Sequence, residues 1–176
     1  MQLNRAGALI ATGIGSLLIG IVLLAVDPQA RDSSYPSIIE FEFAASEERA
    51  AEIVSEWGDR GSDAAKRSLW IDYPYIVFYG TFLVLAAAAT RDLAGRRGWR
   101  RMAAFGMAAV PFAAAAAAFD AIEDVGLLLA VDGEGGDLAP GLAAVCASLK
   151  FALLAAVIAY LLVGLGLWLR SRRAAT

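Results

Sequence analysis

The chain has 176 residues, of which 59% are hydrophobic, and a formal net charge of −3. Soluble domains contain about 45–50% apolar residues, so this composition indicates an integral membrane protein. The chain has no histidine and one cysteine, Cys146, which excludes an internal disulfide, thiol–disulfide redox chemistry and bis-histidine haem ligation.

Four apolar segments are long enough to cross a bilayer, which requires about 20 mostly apolar residues for a hydrocarbon core of ~30 Å. They cover residues 6–26, 69–89, 102–130 and 141–169. The first segment is longer than the apolar region of a cleaved signal peptide, and no clear cleavage site follows it, so we interpret it as a retained span. The fold class predicted is an all-α membrane protein, a four-transmembrane-helix bundle that forms one integral membrane domain over residues 1–176.

A polar segment, residues 27–68, separates the first two spans and is too long to be a simple turn. Ser46, followed by two glutamates, is a typical helix start, and Gly58 is a typical stop. The pattern predicts a short outer amphipathic helix over 47–57, and Ser62 is a candidate cap for a second helix that runs into the next span. The apolar face of the short helix consists of Ala50, Ile53, Val54 and Trp57. Two interpretations are open: a lid that shields helix ends, or a lid that gates a ligand site or docks a partner.

The arginines between and after the spans determine the predicted orientation. They lie at the start of the chain, in the connection after the second span and in the tail, as Arg5, Arg91, Arg96, Arg97, Arg100, Arg101, Arg170, Arg172 and Arg173. Cytoplasmic segments carry the excess of Lys and Arg, and the segments on the opposite side are acidic. We therefore expect a multi-pass protein of the bacterial inner membrane with its N-terminus and C-terminus in the cytoplasm.

Ionisable residues inside the spans are the strongest functional indication, because each costs about 2.5–3.5 kcal/mol to insert. Counting 1.5 Å per residue from the arginines places those of the second, third and fourth spans at a similar height, near the outer edge of the hydrocarbon. The candidate catalytic residues are Asp72, Asp120, Glu123 and Asp124. The candidate ligand-binding residues are Tyr75, Tyr79 and Lys150. We predict that they form one polar cluster facing the bundle interior.

The expected pairing within this cluster is Lys150 with Asp120 or Asp124. Four acids against one lysine leave an excess of negative charge. Three explanations are open: a cationic side chain reaches in from the outer segment, a carboxyl group stays protonated because it is buried, or a cation binds. The cationic side chains in question are Arg60, Lys66 and Arg67. The cluster itself is interpreted either as a structural network that sets helix register, as a catalytic or transport site, or as a contact for a ligand or partner.

An unbroken alanine run, Ala113 to Ala118, lies in the third span. Small residues allow helices to approach closely in lipid, so the run predicts packing within the bundle or, alternatively, a flat surface for an apolar ligand or for a helix of another subunit. The sequence contains no nucleotide-binding loop, no HExxH, no CxxC and no GxSxG motif. We expect no cofactor, no metal and no nucleic-acid partner.

Three stretches of the chain carry a resemblance to known sequences. They are FEFAASEERAAEIVSEWG, SLWIDYPYIVFYGTFL and AFDAIEDVGLL, between Phe41 and Leu128. Together they resemble an uncharacterised group of small bacterial four-helix integral membrane proteins, with an aspartate opening helix two and an acidic pair in helix three. The resemblance implies a recurring architecture and no activity.

Three functions are compatible with these features. The first is an accessory subunit of a membrane complex or a binder of lipid or another apolar ligand; its partners would be membrane lipids, another membrane subunit or a second copy of the chain. The second is a lipid-modifying enzyme in which the clustered carboxyls act as acid and base and the tyrosines position the substrate. The third is a cation or proton pathway, which the sequence favours least because the inner halves of the spans carry no ionisable relay.

Overall fold

The computed structural model describes residues 2–31 and 33–173, and the regular structure in them is helical. The helices are α1 (Gln2–Val26), α2 (Pro28–Arg31), α3 (Ile38–Glu42), α4 (Glu47–Arg96), α5 (Arg100–Val131) and α6 (Leu138–Arg173). Four of them, α1, α4, α5 and α6, are long and apolar enough to cross a membrane. The predictions of an all-α fold and of four helices long and apolar enough to cross a membrane are confirmed. Helices α1, α5 and α6 extend a few residues beyond the predicted spans, whereas α4 begins at Glu47, far ahead of the predicted span 69–89.

Successive long helices run in opposite directions along the bundle. Helix α5 packs against both α4 and α6, whereas α1 packs mainly along α4. At one end, called here the arginine end, α1 and α5 begin and α4 and α6 finish. Arg5 Nη1 lies 3.7 Å from Asp92 Oδ2 there, and Arg97 Nη1 donates a hydrogen bond of 3.4 Å to Ser171 Oγ. The opposite end, called the loop end, carries α2, α3, the start of α4 and the α5–α6 connection.

The start of α4 agrees with its sequence signals. Ser46 Oγ accepts a hydrogen bond of 3.3 Å from the Arg49 amide, and Asp137, from the α5–α6 connection, accepts one of 2.9 Å from the Glu47 amide. Gly58 has φ 55° and ψ −171° and interrupts the helix, a conformation that strongly favours glycine. The helix resumes directly after Gly58, so the prediction that Ser62 caps a second helix is wrong: Ser62 lies inside α4, because the kink needs only one residue.

The main apolar core lies at the loop end. Trp57 and Phe41 are fully buried there, with their ring centroids 4.9 Å apart, and Trp57 Nε1 donates a hydrogen bond of 2.7 Å to the Pro36 carbonyl oxygen. Ile53 and Leu127 belong to the same core. The apolar face of residues 47–57 therefore covers the ends of α5 and α6 and joins them to α3.

Small residues set the spacing between the long helices. A Cβ atom on Gly80 of α4 would lie 2.8 Å from the Cβ atom of Ala117 on α5. Ala113 and Ala116 are completely buried. This face of the alanine run thus packs inside the bundle, as close packing in lipid requires, and it does not form the flat ligand surface that the sequence left open.

Candidate functional site

Lys150 of α6 is the centre of a buried polar cluster. Its Nζ atom lies 2.8 Å from Asp120 Oδ1 and 2.8 Å from Glu123 Oε1. Both acids are on α5, three residues apart, so they present their carboxyl groups on one helix face. Of the two partners expected for Lys150, the structure shows Asp120; Glu123 takes the place of Asp124. The side chains of all three residues in this ion triplet are at most 7% exposed.

Tyr79 connects a third helix to this triplet. Its hydroxyl donates a hydrogen bond of 2.6 Å to Asp120 Oδ2. Both carboxylate oxygens of Asp120 are therefore satisfied, one by α6 and the other by α4. The cluster holds α4, α5 and α6 in one register, which is the structural role that buried ion networks can have.

Asp72 and Asp124 form the second part of the cluster. Their carboxyl groups are close enough to interact electrostatically, and neither can donate a hydrogen bond unless it carries a proton. Asp124 is 2% exposed, and its Oδ2 atom has no hydrogen-bond donor within the described residues. Asp72 is only half-buried. Glu123 Oε2 also lacks a donor, but Glu123 is paired with Lys150, whereas neither Asp72 nor Asp124 forms a salt bridge among the described residues.

Glu42, at the end of α3, is the member of the cluster that the sequence reasoning missed. Its Oε2 atom lies 3.5 Å from Lys150 Nζ, which makes an ion pair but no hydrogen bond. Burial raises the pKa of Glu42, and the Lys150 ammonium opposes this rise. The available signal was local: Glu42 stands between Phe41 and Phe43. Burial of Phe41 places the neighbouring acid in an apolar environment.

The charges in this cluster do not balance. It contains one ammonium group and five carboxyl groups, Lys150 against Glu42, Asp72, Asp120, Glu123 and Asp124. Isolated buried carboxylates are strongly unfavourable, so protons or an additional cation must neutralise part of this charge. Two of the cations proposed from the sequence are engaged elsewhere: Lys66 pairs with Asp132, and Arg67 Nε donates a hydrogen bond of 3.1 Å to the Asp63 carbonyl oxygen.

A groove of about 600 Å³, called here the lateral groove, opens between α1, α3 and α4. Its walls are mainly apolar and come largely from α1. The carboxyl-bearing residues Asp27, Glu42, Asp72 and Asp124 line it together with Ser68. The polar cluster is therefore not enclosed on all sides by the bundle. Glu42, Asp72 and Asp124 border the lateral groove.

Tyr75 lies between the lateral groove and the triplet around Lys150. It lines the groove, its hydroxyl neighbours Ser16 of α1, and its ring centroid is 5.1 Å from that of Tyr79. All seven residues that the sequence nominated are thus brought to one region of the molecule. Their roles in catalysis or ligand binding stay predictions.

Comparisons with family models, with curated proteins and with solved structures found no significant match. Among the residues that the structure describes, no group of three or more His, Cys, Asp or Glu side chains has the geometry to hold a metal ion.

The hydrogen bond from Tyr79 to Asp120 can be tested directly. We expect Tyr79→Phe to lower the free energy of unfolding by about 1.5–3 kcal/mol, because it removes a hydrogen bond to a charged group and leaves Asp120 Oδ2 buried without a donor. Denaturant unfolding of the purified protein in detergent measures this difference. Tyr73→Phe is the matched control on the same helix, since Tyr73 contacts the ring of Trp70; an equal loss in both variants would refute the assigned role of the Tyr79 hydroxyl.

Proposed function

We propose that this protein binds a lipid-like apolar ligand in the lateral groove, at the outer side of a bacterial inner membrane. The observation that carries the proposal is the groove itself, in which apolar walls end at a cluster of partly unsatisfied carboxyl groups. Ligand sites are typically concave, mostly apolar and of about 300–1,000 Å³, with a few polar groups that orient the ligand. The lateral groove has these properties.

The position of α1 supports entry of the ligand from the bilayer. This helix packs mainly along α4, and none of its most apolar stretch is buried. Gly20 and Leu23 of α1 line the groove opposite Tyr75. A molecule in the surrounding lipid therefore reaches the groove sideways, without crossing the α4–α5–α6 bundle.

The proposed orientation rests on the distribution of arginine. The arginine end carries the start of α1, the cationic connection between α4 and α5 and the end of α6, and such cationic segments face the cytoplasm. The groove and the polar cluster then lie beneath the outer surface. In this orientation residues 47–57 form the outer amphipathic helix, which covers the ends of α5 and α6 through Ile53 and Trp57 and closes the site from the aqueous side.

A lipid-modifying enzyme is the second candidate, and the contact between Asp72 and Asp124 favours it. Two neighbouring carboxyl groups that share a proton can supply an acid and a base to one substrate. This alternative predicts that a bound lipid is chemically changed, and that Asp124→Asn blocks the change while the lipid still binds.

Filling the groove tests the binding proposal. A Cβ atom on Gly20 would lie 3.5 Å from the ring of Tyr75, an ordinary contact, so Gly20→Leu can enter the groove without disturbing α4. We expect it to reduce binding of the co-purifying ligand about tenfold, since each displaced methylene group contributes about 0.8 kcal/mol. Native mass spectrometry of protein extracted gently from its own membrane measures the bound fraction.

Gly7→Leu is the matched control, because Gly7 is on the same helix and a Cβ atom there would meet nothing within 4 Å. The binding proposal is wrong if the wild-type protein carries no apolar molecule, or if Gly20→Leu and Gly7→Leu retain it equally. A second protein subunit that co-purifies while the groove is empty would instead support the accessory-subunit function.

A further inference from the structure

The polar end of the lateral groove holds a carboxyl group that lacks a donor. Asp124 is 2% exposed and lines the groove, yet its Oδ2 atom accepts no hydrogen bond from any described residue. A buried acceptor without a donor costs about 1–3 kcal/mol, and more when it is charged. The neighbouring Asp72 carboxyl adds like charge and no permanent donor.

The rest of the cluster does not supply the missing donor. Lys150 Nζ is committed to Asp120 and Glu123, at 2.8 Å each. Tyr79 donates to Asp120 as well. Glu42, Asp72 and Asp124 all line the groove, but Glu42 is paired with Lys150, so Asp72 and Asp124 are the carboxyl groups there without a cationic partner.

We infer that the ligand of the lateral groove is a cationic amphiphile, whose protonated amine pairs with Asp124 and Asp72 while its apolar chain lies along α1. This inference rests on the proposed function and specifies the ligand class. An ammonium group donates up to three hydrogen bonds and carries the compensating charge. It would satisfy Asp124 Oδ2 and reduce the excess of negative charge in one step.

Other headgroups fit this end of the groove less well. An anionic headgroup would meet the carboxyl groups of Glu42, Asp72 and Asp124 and be repelled. An uncharged alcohol could donate one hydrogen bond but would leave the charge unbalanced. The required chemistry is thus an N–H-bearing ammonium group on an apolar chain. Its source is either a free long-chain amine or the ammonium end of a zwitterionic lipid such as phosphatidylethanolamine, whose phosphate must stay outside the polar end of the groove.

The test uses the full chain in phosphatidylcholine nanodiscs, because the choline headgroup has no N–H donor. Tetradecylamine and tetradecanol are the probes, since they share a chain length and differ in the charged group. Binding is measured by native mass spectrometry. We expect Asp124→Asn to weaken tetradecylamine binding about 10- to 100-fold, which is the range of a hydrogen bond to a charged group, and to leave tetradecanol binding unchanged.

Glu56→Gln is the control for charge removal, because Glu56 is exposed on α4 and does not line the groove; we expect it to leave both probes unaffected. Asp72→Asn is a second variant of the same pair, with the same expected direction as Asp124→Asn, and it keeps the test decisive if Asp124→Asn unfolds. A thermal unfolding curve for each variant shows which of them are folded.

The possible outcomes separate this inference from the proposed function. If tetradecanol binds as tightly as tetradecylamine and neither aspartate variant changes this, the amine assignment is overturned while lipid binding stands. If neither probe binds, the proposed function fails as well. Competition by phosphatidylethanolamine would support the inference with a membrane lipid as the source of the amine, and amine binding without such competition would support it with a free amine.

Discussion

Replacing Lys150 with methionine is expected to lower the free energy of unfolding by about 3–5 kcal/mol, the range found when one partner of a buried ion pair is removed. Lys150 is 6% exposed and its Nζ atom contacts Asp120, Glu123 and Glu42. Without it, these carboxyl groups would be buried with no cation. Equilibrium unfolding in detergent, compared with the wild-type protein, measures the loss.

Two further variants identify the cause of this loss. Lys66→Met removes a partly exposed ion pair with Asp132 and should cost at most about 1 kcal/mol. Adding Asp120→Asn and Glu123→Gln to Lys150→Met should recover much of the lost stability, because the stranded charges are removed together with their partner. If the triple variant is no more stable than Lys150→Met, the loss comes from packing and the electrostatic account is wrong.

The second large effect is expected at Trp57. Its side chain is 1% exposed, it packs on Phe41 and it donates a hydrogen bond to the Pro36 carbonyl oxygen. Trp57→Ala should lower the free energy of unfolding by about 3–5 kcal/mol, because it opens a large cavity in the core at the loop end. Trp57→Phe keeps much of the ring volume and should lose less.

Trp70 is the matched control for this prediction. It lies on the same helix but is 65% exposed, so Trp70→Ala should change the free energy of unfolding by about 0.5 kcal/mol or less. Unfolding in detergent, followed by far-ultraviolet circular dichroism, compares the variants. Similar losses for Trp57→Ala and Trp70→Ala would show that the loop-end core does not stabilise the bundle as the structure indicates.

Much of the candidate site could be predicted because two of its determinants are local. Asp120, Glu123 and Asp124 share a helix face through their spacing alone. Lys150 could be placed at the same height by counting residues at 1.5 Å each from the arginines. A helix that must cross a layer of fixed thickness gives depth a direct relation to residue number, which soluble proteins lack.

The partners within the cluster could not be predicted in the same way. Counting residues sets the height of Asp120, Glu123 and Asp124 but not the rotation of α5 about its axis. That rotation depends on close contacts between helices, such as Gly80 with Ala117. It turns Asp120 and Glu123 towards Lys150 and leaves Asp124 beside Asp72, which separates the acids paired with Lys150 from the Asp72–Asp124 pair that borders the groove.

The sequence by itself determined the four long apolar helices, the start of α4 after Ser46 and its interruption at Gly58, because these features depend on apolar length and local backbone preferences. Only the tertiary structure decided that α1 packs at the side of the bundle, that Glu42 joins the polar cluster, and that the lateral groove opens between α1, α3 and α4. The physical reason is that the described residues between α1 and α4 form only the short helices α2 and α3, so their path depends on contacts with distant residues. Phe41 is buried in the loop-end core, and its position places the neighbouring Glu42 within ion-pair distance of Lys150.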